Sequence, residues 1–365
     1  MQARRGGPRS LPNHPSIAPY GATIRRESGQ IASEIRMVQA LRAAACLMVT
    51  IYHTLQVAAG ARAIAAWPNG SAGVDLFFVI SGFVMLGSTR RLTVRPRAAW
   101  IFLRRRAARL VPLYWTLTCI KCAIATLAPG LAPHTRLTPW NLLASLLFIP
   151  ARDLAGEVRP VLPVGWSLNF EVFFYMLFAL ALALHVRVWW VLPALAATAA
   201  AGFFRAESWP APFYLANGMV LEFAAGMLIW AAATHTYATR PARASAPALA
   251  LMTVGTVLLL TLPLAGQWRF LVWGAPAACI LLGAVALESR FGAKLPGAVL
   301  AVGDASYAIY LVHPFIVPAL AAHGWLGAAA AIPISIAAGL LVHTWFDAPV
   351  QRRARRFTQG VAYAA

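Results

Sequence analysis

Residues 41–59 read LRAAACLMVTIYHTLQVAA, an apolar run that contains one arginine, Arg42, and one histidine, His53. Its length is close to that of a helix crossing the hydrocarbon of a bilayer. Eleven residues at about 100° each return to within roughly 20° of the start and rise about 16 Å. The spacing therefore predicts that Arg42 and His53 share one face of a membrane helix, near its opposite ends. Ionisable groups in such a segment are candidates for function.

The composition predicts a membrane environment for most of the chain. Hydrophobic residues make up 60% of the 365 residues and charged residues only 12%, and the mean hydropathy is +0.67. A soluble chain of this length would need far more polar surface. We therefore predict an all-α fold, a polytopic integral membrane helical bundle of about ten transmembrane helices. The predicted spans are 38–57, 73–89, 109–128, 165–184, 188–204, 213–233, 247–265, 268–287, 297–319 and 325–345.

The positive charge of the chain is explained by membrane topology. The formal net charge is +20, which in a soluble protein would point to a nucleic-acid partner. Here the basic residues fall between the hydrophobic runs, and most of them gather on one side when the amino terminus is placed in the cytoplasm. This pattern favours two cytoplasmic termini and a multi-pass protein of the inner (plasma) membrane. The lipid bilayer is the expected partner, and nucleic acid is not.

The chain divides into one membrane domain and two tails. Residues 1–35 are rich in proline and arginine without an apolar core, so we expect a disordered basic cytoplasmic tail rather than a signal peptide. Residues 36–346 form the membrane domain, and residues 347–365 form a second basic cytoplasmic tail. The run WNLLASLLFIP, residues 140–150, is too short to cross the hydrocarbon and is predicted to be interfacial or re-entrant. The four cysteines lack further ligands nearby in the sequence, so no metal is expected.

The predicted depths of the ionisable residues divide them into two groups. His53, Asp75, Glu171 and His313 fall within about six residues of the outer ends of their spans, which is the outer third of the bilayer at about 1.5 Å per residue. The inner boundary instead gathers arginines, namely Arg42, Arg104, Arg105, Arg106 and Arg109. The sequence thus predicts guanidinium groups at one face and histidines with carboxylates towards the other.

The arginines at the inner boundary can be interpreted in two ways. Those at 104–109 flank a predicted span and could serve only as topology determinants. Arg106 and Arg109, or Arg105 and Arg109, also share a helix face at their spacing, and paired guanidiniums suit bidentate phosphate binding. Arg42 lies inside an apolar run, where it either extends to the interface or binds a ligand.

His53 is the candidate general base. A lone membrane histidine commonly hydrogen-bonds between helices, but carboxylates at similar depth could orient the imidazole and raise its basicity. Glu171, in GWSLNFEVFFY with Trp166 and Asn169, and Asp75 are the candidate partners. Polar groups among aromatic side chains in a membrane are costly unless they are used.

Two further segments add candidates with open alternatives. In GVDLFFVISGFVM, residues 73–85, Gly73, Ser81 and Gly82 allow close helix approach, so Asp75 could have a packing role instead. In GDASYAIYLVHPF, residues 303–315, the spacing places Tyr310 and His313 on one face.

The same segment gives one expectation for Asp304 and one for His313. Asp304 points away from His313 on an ideal helix and is interpreted as a cap. Pro314 allows a local break of the helix, and a structural role for His313 is weighed equally with a functional one.

The motifs resemble, in the same order, those of membrane acyltransferase family 3. They are the Arg42 and His53 pair, GVDLFFVISGFVM, FLRRRAARLVPLYW, WSLNFEVFFY and SYAIYLVHPF. The resemblance covers residues 36–346. QALRAAACLMVTIYH and VGWSLNFEVFFYMLFA are most similar to the ExoZ-type branch of exopolysaccharide O-acetyltransferases.

The resemblance implies transfer of an acyl group, usually acetyl, from cytoplasmic acyl-CoA to a hydroxyl. The acceptor would be a cell-surface or exported polysaccharide, another glycan, or a lipid-linked oligosaccharide precursor. Acetyl-CoA is the expected co-substrate, with no metal. By this resemblance Arg42 and His53 fill the Arg and His motif, and Arg106 with Arg109 fills the paired-Arg motif. The remaining expected contacts are Arg105 for the donor and Trp166, Asn169, Tyr310 and His313 for the acceptor.

The competing interpretation is a proton-coupled transporter or flippase. In that case the buried histidines and carboxylates would relay protons, and the arginines would select an anionic or glycan-lipid substrate. No similarity between the two halves of the sequence indicates an inverted repeat. Dependence on acyl-CoA separates the two functions.

Overall fold

The structure is a computed structural model that describes residues 35–60, 67–89, 97–132, 135, 137–239, 245–263 and 266–354. The predicted amino-terminal tail, apart from Ile35, and residues 355–365 of the predicted carboxy-terminal tail lie outside the described residues. Within the described ranges there are helices but no strands, and Arg152 and Val158 form an isolated β-bridge. The all-α prediction is confirmed.

Eleven α-helices occur in the described part of the chain. In chain order they are α1 (Arg36–Ala59), α2 (Gly73–Thr89), α3 (Ala98–Leu127), α4 (Pro139–Leu146), α5 (Trp166–Ala183), α6 (Val191–Phe203), α7 (Val220–Thr239), α8 (Ser245–Thr261), α9 (Ala275–Phe291), α10 (Gly297–Ala321) and α11 (Trp325–Val342). Two single π-turns, Phe270–Gly274 and His343–Asp347, lie directly before α9 and after α11.

Each predicted span coincides with one of these helices, and the apolar run at residues 140–150 contains the short helix α4. Seven helical segments within the described ranges are long and apolar enough to cross a membrane, and they contain α1, α2, α3, α5, α9, α10 and α11. The helices α6, α7 and α8 supply shorter apolar stretches. The chain is therefore a multi-pass membrane protein. The count of ten spans and the cytoplasmic termini stay predictions.

Helix α3 begins at Ala98, earlier than the start predicted near residue 109. Arginine is a good helix former, and its long side chain can reach along a surface. The block Arg104–Arg109 therefore belongs to the helix instead of flanking it. At three residues apart on this helix, Arg106 and Arg109 share a face, as their spacing predicted.

The helices α1 and α10 pack along each other and carry most of the candidate site residues. Gly303 permits a close approach, because a Cβ at this position would clash with the carbonyl oxygen of Gln39. The thiol of Cys46 lies 3.5 Å from the carbonyl oxygen of Ser306 in a buried contact between the same two helices. The relative positions of side chains on α1 and α10 are therefore fixed by direct backbone packing.

Helix α10 is continuous from Gly297 to Ala321, with Pro314 and Pro318 inside it. The local break that Pro314 would allow does not occur. Asp304 is the eighth residue of this helix, not a cap, so its interpretation as a terminal residue is wrong. The continuity places Asp304, Tyr310 and His313 on a single rigid element.

Helices α2 and α7 also meet backbone to backbone. A Cβ on Gly82 would clash with the carbonyl oxygen of Phe223, and one on Gly226 would clash with that of Val79. Gly73 faces the carbonyl oxygen of Ala45 in the same way. The predicted role of Gly73 and Gly82 in close helix approach is confirmed.

The segment between α3 and α5 folds back through α4. The hydroxyl of Thr138 caps α4 by accepting from the backbone N–H of Asn141 (3.0 Å). The Asn141 amide donates to the carbonyl oxygen of Arg159 (3.0 Å), and the N–H of Val161 donates to the hydroxyl of Ser145 (2.9 Å). These contacts hold residues 159–161 against α4.

Candidate active site

Two cavities lie along the packed pair α1 and α10, and each is lined by a different part of both helices. The first has a volume of about 460 Å³ and is lined by Arg42 of α1 and by Asp304 and Tyr310 of α10. We call it the arginine cavity. The second has a volume of about 1120 Å³, is lined by His53 of α1 and His313 of α10, and is called the histidine cavity. The separation of Arg42 and His53 along one helix is confirmed.

His53 and His313 form a direct pair in the histidine cavity. Nδ1 of His53 lies 3.0 Å from Nε2 of His313, and the rings stack with their centroids 5.1 Å apart. Nδ1 of the buried His313 lies 3.3 Å from the carbonyl oxygen of Ile309. Because a carbonyl only accepts, this nitrogen carries the hydrogen of a neutral His313, and its Nε2 accepts from Nδ1 of His53. Nε2 of His53 is then unprotonated and able to take a proton.

Asp75 does not contact His53, contrary to its predicted role as a partner. Its carboxylate accepts two hydrogen bonds from Nε of Arg269 (2.9 and 3.2 Å) and one from Nη2 (2.7 Å). The guanidinium also lies over the ring of Trp273, 4.8 Å from its centroid. Asp75 is fully buried, and a buried carboxylate is costly unless a cation lies beside it. The guanidinium of Arg269 supplies that charge, whereas a neutral histidine would not. The structure places Asp75 in an ion pair that joins α2 to the residue directly before the π-turn Phe270–Gly274.

Glu222 of α7 lies beside this ion pair. It is buried and interacts electrostatically with both Asp75 and Arg269. Of the two carboxyl groups, only that of Asp75 is hydrogen-bonded to the guanidinium, and the two Glu222 oxygens have no hydrogen-bond partner among the described residues. The sequence analysis singled out neither Arg269 nor Glu222. The available signal was an acidic residue inside an apolar run, which requires a partner.

Glu171, the other predicted partner of His53, lies in the arginine cavity. Its carboxylate accepts hydrogen bonds from the hydroxyl of Tyr175 and from that of Ser81 (3.3 Å). His53 lines the other cavity. The predicted contact between Glu171 and His53 is therefore corrected: the partner that the structure gives to His53 is His313.

Arg106 is held with its guanidinium in the arginine cavity. Its Nη2 donates to the hydroxyl of Ser88 (2.5 Å), and its Cζ lies 5.6 Å from the Phe102 ring centroid and 5.7 Å from that of Tyr175. Its buried Nε has no hydrogen-bond partner among the described residues. A buried charged donor without a partner is costly, which is consistent with an anionic ligand at this place.

Arg42 and Arg109 line the same cavity. Nη1 of Arg42 donates to Oε1 of Gln39 (3.2 Å). Arg105 is exposed and is not among the residues that line the arginine cavity. The structure thus brings together three of the four arginines predicted for donor binding.

A histidine and a carboxylate that sequence reasoning missed also line the arginine cavity. Nδ1 of His343 lies 3.0 Å from Oδ2 of Asp347, and Oδ1 of Asp347 accepts from the Gln351 amide (2.9 Å). The π-turn after α11 carries this pair, and such turns are frequent at functional sites. The signal was HTWFD, since residues four apart share a helix face.

The four residues predicted to contact the acceptor do not lie together in one cavity. Tyr310 lines the arginine cavity and His313 the histidine cavity, and their ring centroids are 5.8 Å apart, so their shared face is confirmed. Trp166 packs against Phe170, with ring centroids 6.1 Å apart. Neither Trp166 nor the buried Asn169 is among the residues that line the two cavities.

The chain matches known proteins over most of its length. A family model described as "Acyltransferase domain" matches residues 36–346. The exopolysaccharide production protein ExoZ of Rhizobium meliloti (strain 1021) is 36% identical over 313 residues, which cover 80% of this chain and 94% of ExoZ. The acyltransferase MdmB of Streptomyces mycarofaciens is 28% identical over 327 residues, 78% of this chain and 81% of MdmB. No solved structure matches the chain.

Proposed function

The chain belongs to membrane acyltransferase family 3, and on this basis we propose that it transfers an acetyl group from acetyl-CoA to a hydroxyl of an exported polysaccharide or its lipid-linked precursor. The resemblance seen in the five motifs is thereby confirmed at the level of the family. The name of ExoZ, an exopolysaccharide production protein, supports a glycan as the acceptor. The identity of the transferred group as acetyl and of its carrier as CoA belongs to the proposal.

The observation that carries this function is the contact of 3.0 Å between Nδ1 of His53 and Nε2 of His313 in the histidine cavity. The hydrogen bonds of the pair leave Nε2 of His53 as a proton acceptor. A positioned imidazole that accepts a proton is the group a hydroxyl nucleophile requires. His313 does not take the proton in this scheme: it fixes the tautomer and the orientation of His53, and is a positioning residue.

The proposed step transfers the acetyl group directly. Nε2 of His53 accepts the hydroxyl proton while the acceptor oxygen bonds to the thioester carbonyl carbon. The bond between that carbon and sulfur then breaks, and the thiolate of CoA takes the proton from His53. The products are the acetyl ester and CoA in its thiol form, and the histidine returns to its neutral state.

The arginine cavity is the proposed binding site for the donor phosphates. Arg106 offers there an Nε–H that has no partner within the described part of the chain, and Arg42 and Arg109 line the same space. Guanidinium groups bind phosphate oxygens in paired, charge-assisted hydrogen bonds. The cytoplasmic termini predicted from the basic residues would put this cavity at the cytoplasmic side, where acyl-CoA is found, which supports the proposal.

The histidine cavity is the proposed acceptor site. Its volume of about 1120 Å³ is more than twice that of the arginine cavity, at about 460 Å³. Polar and charged side chains suited to sugar hydroxyls line it, namely Gln56, Lys121, Asn141, Asp153, Glu157 and Arg159. Sugar recognition by such groups, beside a base, fits transfer to a glycan.

The test is transfer of radiolabel from acetyl-CoA to total cell glycan in membranes that contain the wild-type protein, His53→Ala or His323→Ala. His323 also lines the histidine cavity but is exposed, so it is the matched control. We expect wild type and His323→Ala to label glycan, and His53→Ala to lose about 10²- to 10⁴-fold in rate. Equal labelling with His53→Ala would exclude His53 as the base. A wild type that labels nothing would contradict the function.

A further inference from the structure

The two cavities are separated at one hydrogen-bonded contact between α10 and the turn that precedes α5. On α10, Tyr310 lines the arginine cavity while His313, one turn later, lines the histidine cavity. On the opposite side, Ser167 lines the arginine cavity while Val164 lines the histidine cavity. Both elements thus pass from one cavity to the other at the same level.

That level is closed by hydrogen bonds among three residues. The hydroxyl of Tyr310 donates to the carbonyl oxygen of Val164 (3.0 Å) and lies 2.8 Å from the hydroxyl of Ser167. The Ser167 hydroxyl also lies within reach of the same carbonyl, at 3.1 Å. We call this cluster of Tyr310, Ser167 and the Val164 carbonyl the latch.

The latch is packed as well as hydrogen-bonded. Tyr310 and Ser167 are only 7% and 6% exposed. The ring of Phe77 meets that of Tyr310 edge to face, with centroids 6.2 Å apart. The ring of His313 is 5.8 Å from that of Tyr310 on the other side. The tyrosine side chain therefore stands between the arginine cavity and the histidine pair.

We propose that the latch is a gate that must open to admit the thioester end of the acyl donor to His53, and that its closed state keeps water of the histidine cavity away from the donor. The gate rests on the proposed function, because it matters only if an acyl group passes from one cavity to the other. It makes Tyr310 and Ser167 positioning residues of the reaction. The contacts to break are hydrogen bonds, and a tyrosine side chain can rotate without unfolding α10.

The gate has a chemical consequence that transfer alone does not reveal. When it is open without an acceptor, water can replace the hydroxyl. The water oxygen bonds to the thioester carbon, the bond from that carbon to sulfur breaks, and His53 moves one water proton to the thiolate, giving CoA in its thiol form and acetic acid, which then releases its proton to solvent as acetate. A closed gate suppresses this hydrolysis by keeping water out of the donor path.

The experiment measures acetate release and glycan labelling from the same radiolabelled acetyl-CoA in membranes. Tyr310→Phe and Ser167→Ala each remove latch hydroxyls with little change in volume. We expect both to raise the ratio of hydrolysis to transfer by about fivefold, the population change that corresponds to a hydrogen bond of about 1 kcal/mol. The double variant Tyr310→Phe with His53→Ala should lose the added hydrolysis, since the released acetate forms at His53.

Tyr214→Phe is the matched control. Tyr214 lines neither cavity and packs against Phe170, with ring centroids 5.4 Å apart, away from the latch. Its ratio of hydrolysis to transfer should equal that of the wild type. A wild-type ratio in both latch variants would overturn the gate while leaving the transferase standing. No transfer by the wild type would overturn the proposed function, and the gate with it.

Discussion

Nδ1 of His53 lies 3.0 Å from Nε2 of His313, although the two residues are 260 positions apart in the chain. A carboxylate partner for His53 would require a buried charge within the membrane part of the protein, which is costly. A second histidine orients the first through a hydrogen bond between neutral rings. In the proposed reaction, the imidazolium formed at His53 has no carboxylate among its hydrogen-bond partners in the described residues, which favours rapid return of the proton to the leaving thiolate.

Replacing His313 tests its positioning role. His313→Ala should lower kcat about tenfold to a hundredfold with little change in the KM for acetyl-CoA, because the proposed site for the donor phosphates is the other cavity. His313→Gln offers an amide oxygen to Nδ1 of His53 and should restore part of kcat. Steady-state kinetics on membranes measure both constants. A purely structural role would lower the amount of folded protein and leave the kcat of the remainder unchanged.

Arg106→Ala should weaken donor binding. Removal of a charged hydrogen-bond donor of about 1.5–3 kcal/mol corresponds to a rise in KM for acetyl-CoA of about tenfold to a hundredfold. Arg106→Lys keeps the charge without the paired donors, so its KM for acetyl-CoA should lie between those of the wild type and Arg106→Ala. Arg105→Ala, at an exposed position outside the cavity lining, is the control. Equal KM values for Arg105→Ala and Arg106→Ala would contradict the assignment of the arginine cavity.

Glu171 and Tyr175 should act as one unit. Because the Tyr175 hydroxyl donates to the Glu171 carboxylate, Glu171→Gln and Tyr175→Phe are expected to raise the KM for acetyl-CoA by similar factors. The double variant should show less than the product of the two effects. A double-mutant cycle on KM measures this coupling. If Glu171→Gln instead abolished kcat as His53→Ala does, the carboxylate would belong to the base after all.

The Asp75 and Arg269 pair should govern stability. Arg269→Met leaves a buried carboxylate without its counter-ion, and such a loss costs about 3–5 kcal/mol. We expect a lower melting temperature in detergent and less folded protein in membranes. Glu222→Gln, which removes the second carboxyl group around the same guanidinium, should be neutral or stabilising. A melting temperature of Glu222→Gln as low as that of Arg269→Met would show that Glu222 carries a required charge.

The helices could be predicted from the sequence because an apolar run of sufficient length indicates a membrane-spanning helix without further information. The common face of Arg106 and Arg109 also followed, since spacing along one helix is local information. The start of α3 was missed because an arginine block reads as a boundary in hydropathy, whereas arginine continues a helix readily.

The partners of the buried ionisable groups could not be predicted from one sequence. Similar predicted depth made Asp75 and Glu171 the candidate partners of His53, while His313, at the same depth, was not among them. The rotation of each helix about its axis decides among them, and this rotation depends on packing contacts such as that of Gly303 with Gln39. Arg269 and Asp75 meet across 194 positions for the same reason.

The parallel arrangement of α1 and α10 sets the distance that the proposed acyl carrier must span. Arg42 and His53 are separated by a helical rise of about 16 Å, and α10 repeats the same order of cavities. A donor anchored by its phosphates at one end therefore needs a flexible arm of comparable reach to present its carbonyl carbon at the other. On the proposed function, small activated acyl compounds whose phosphate adjoins the acyl group are too short to meet both requirements, and the donor would be selected by length as well as by charge.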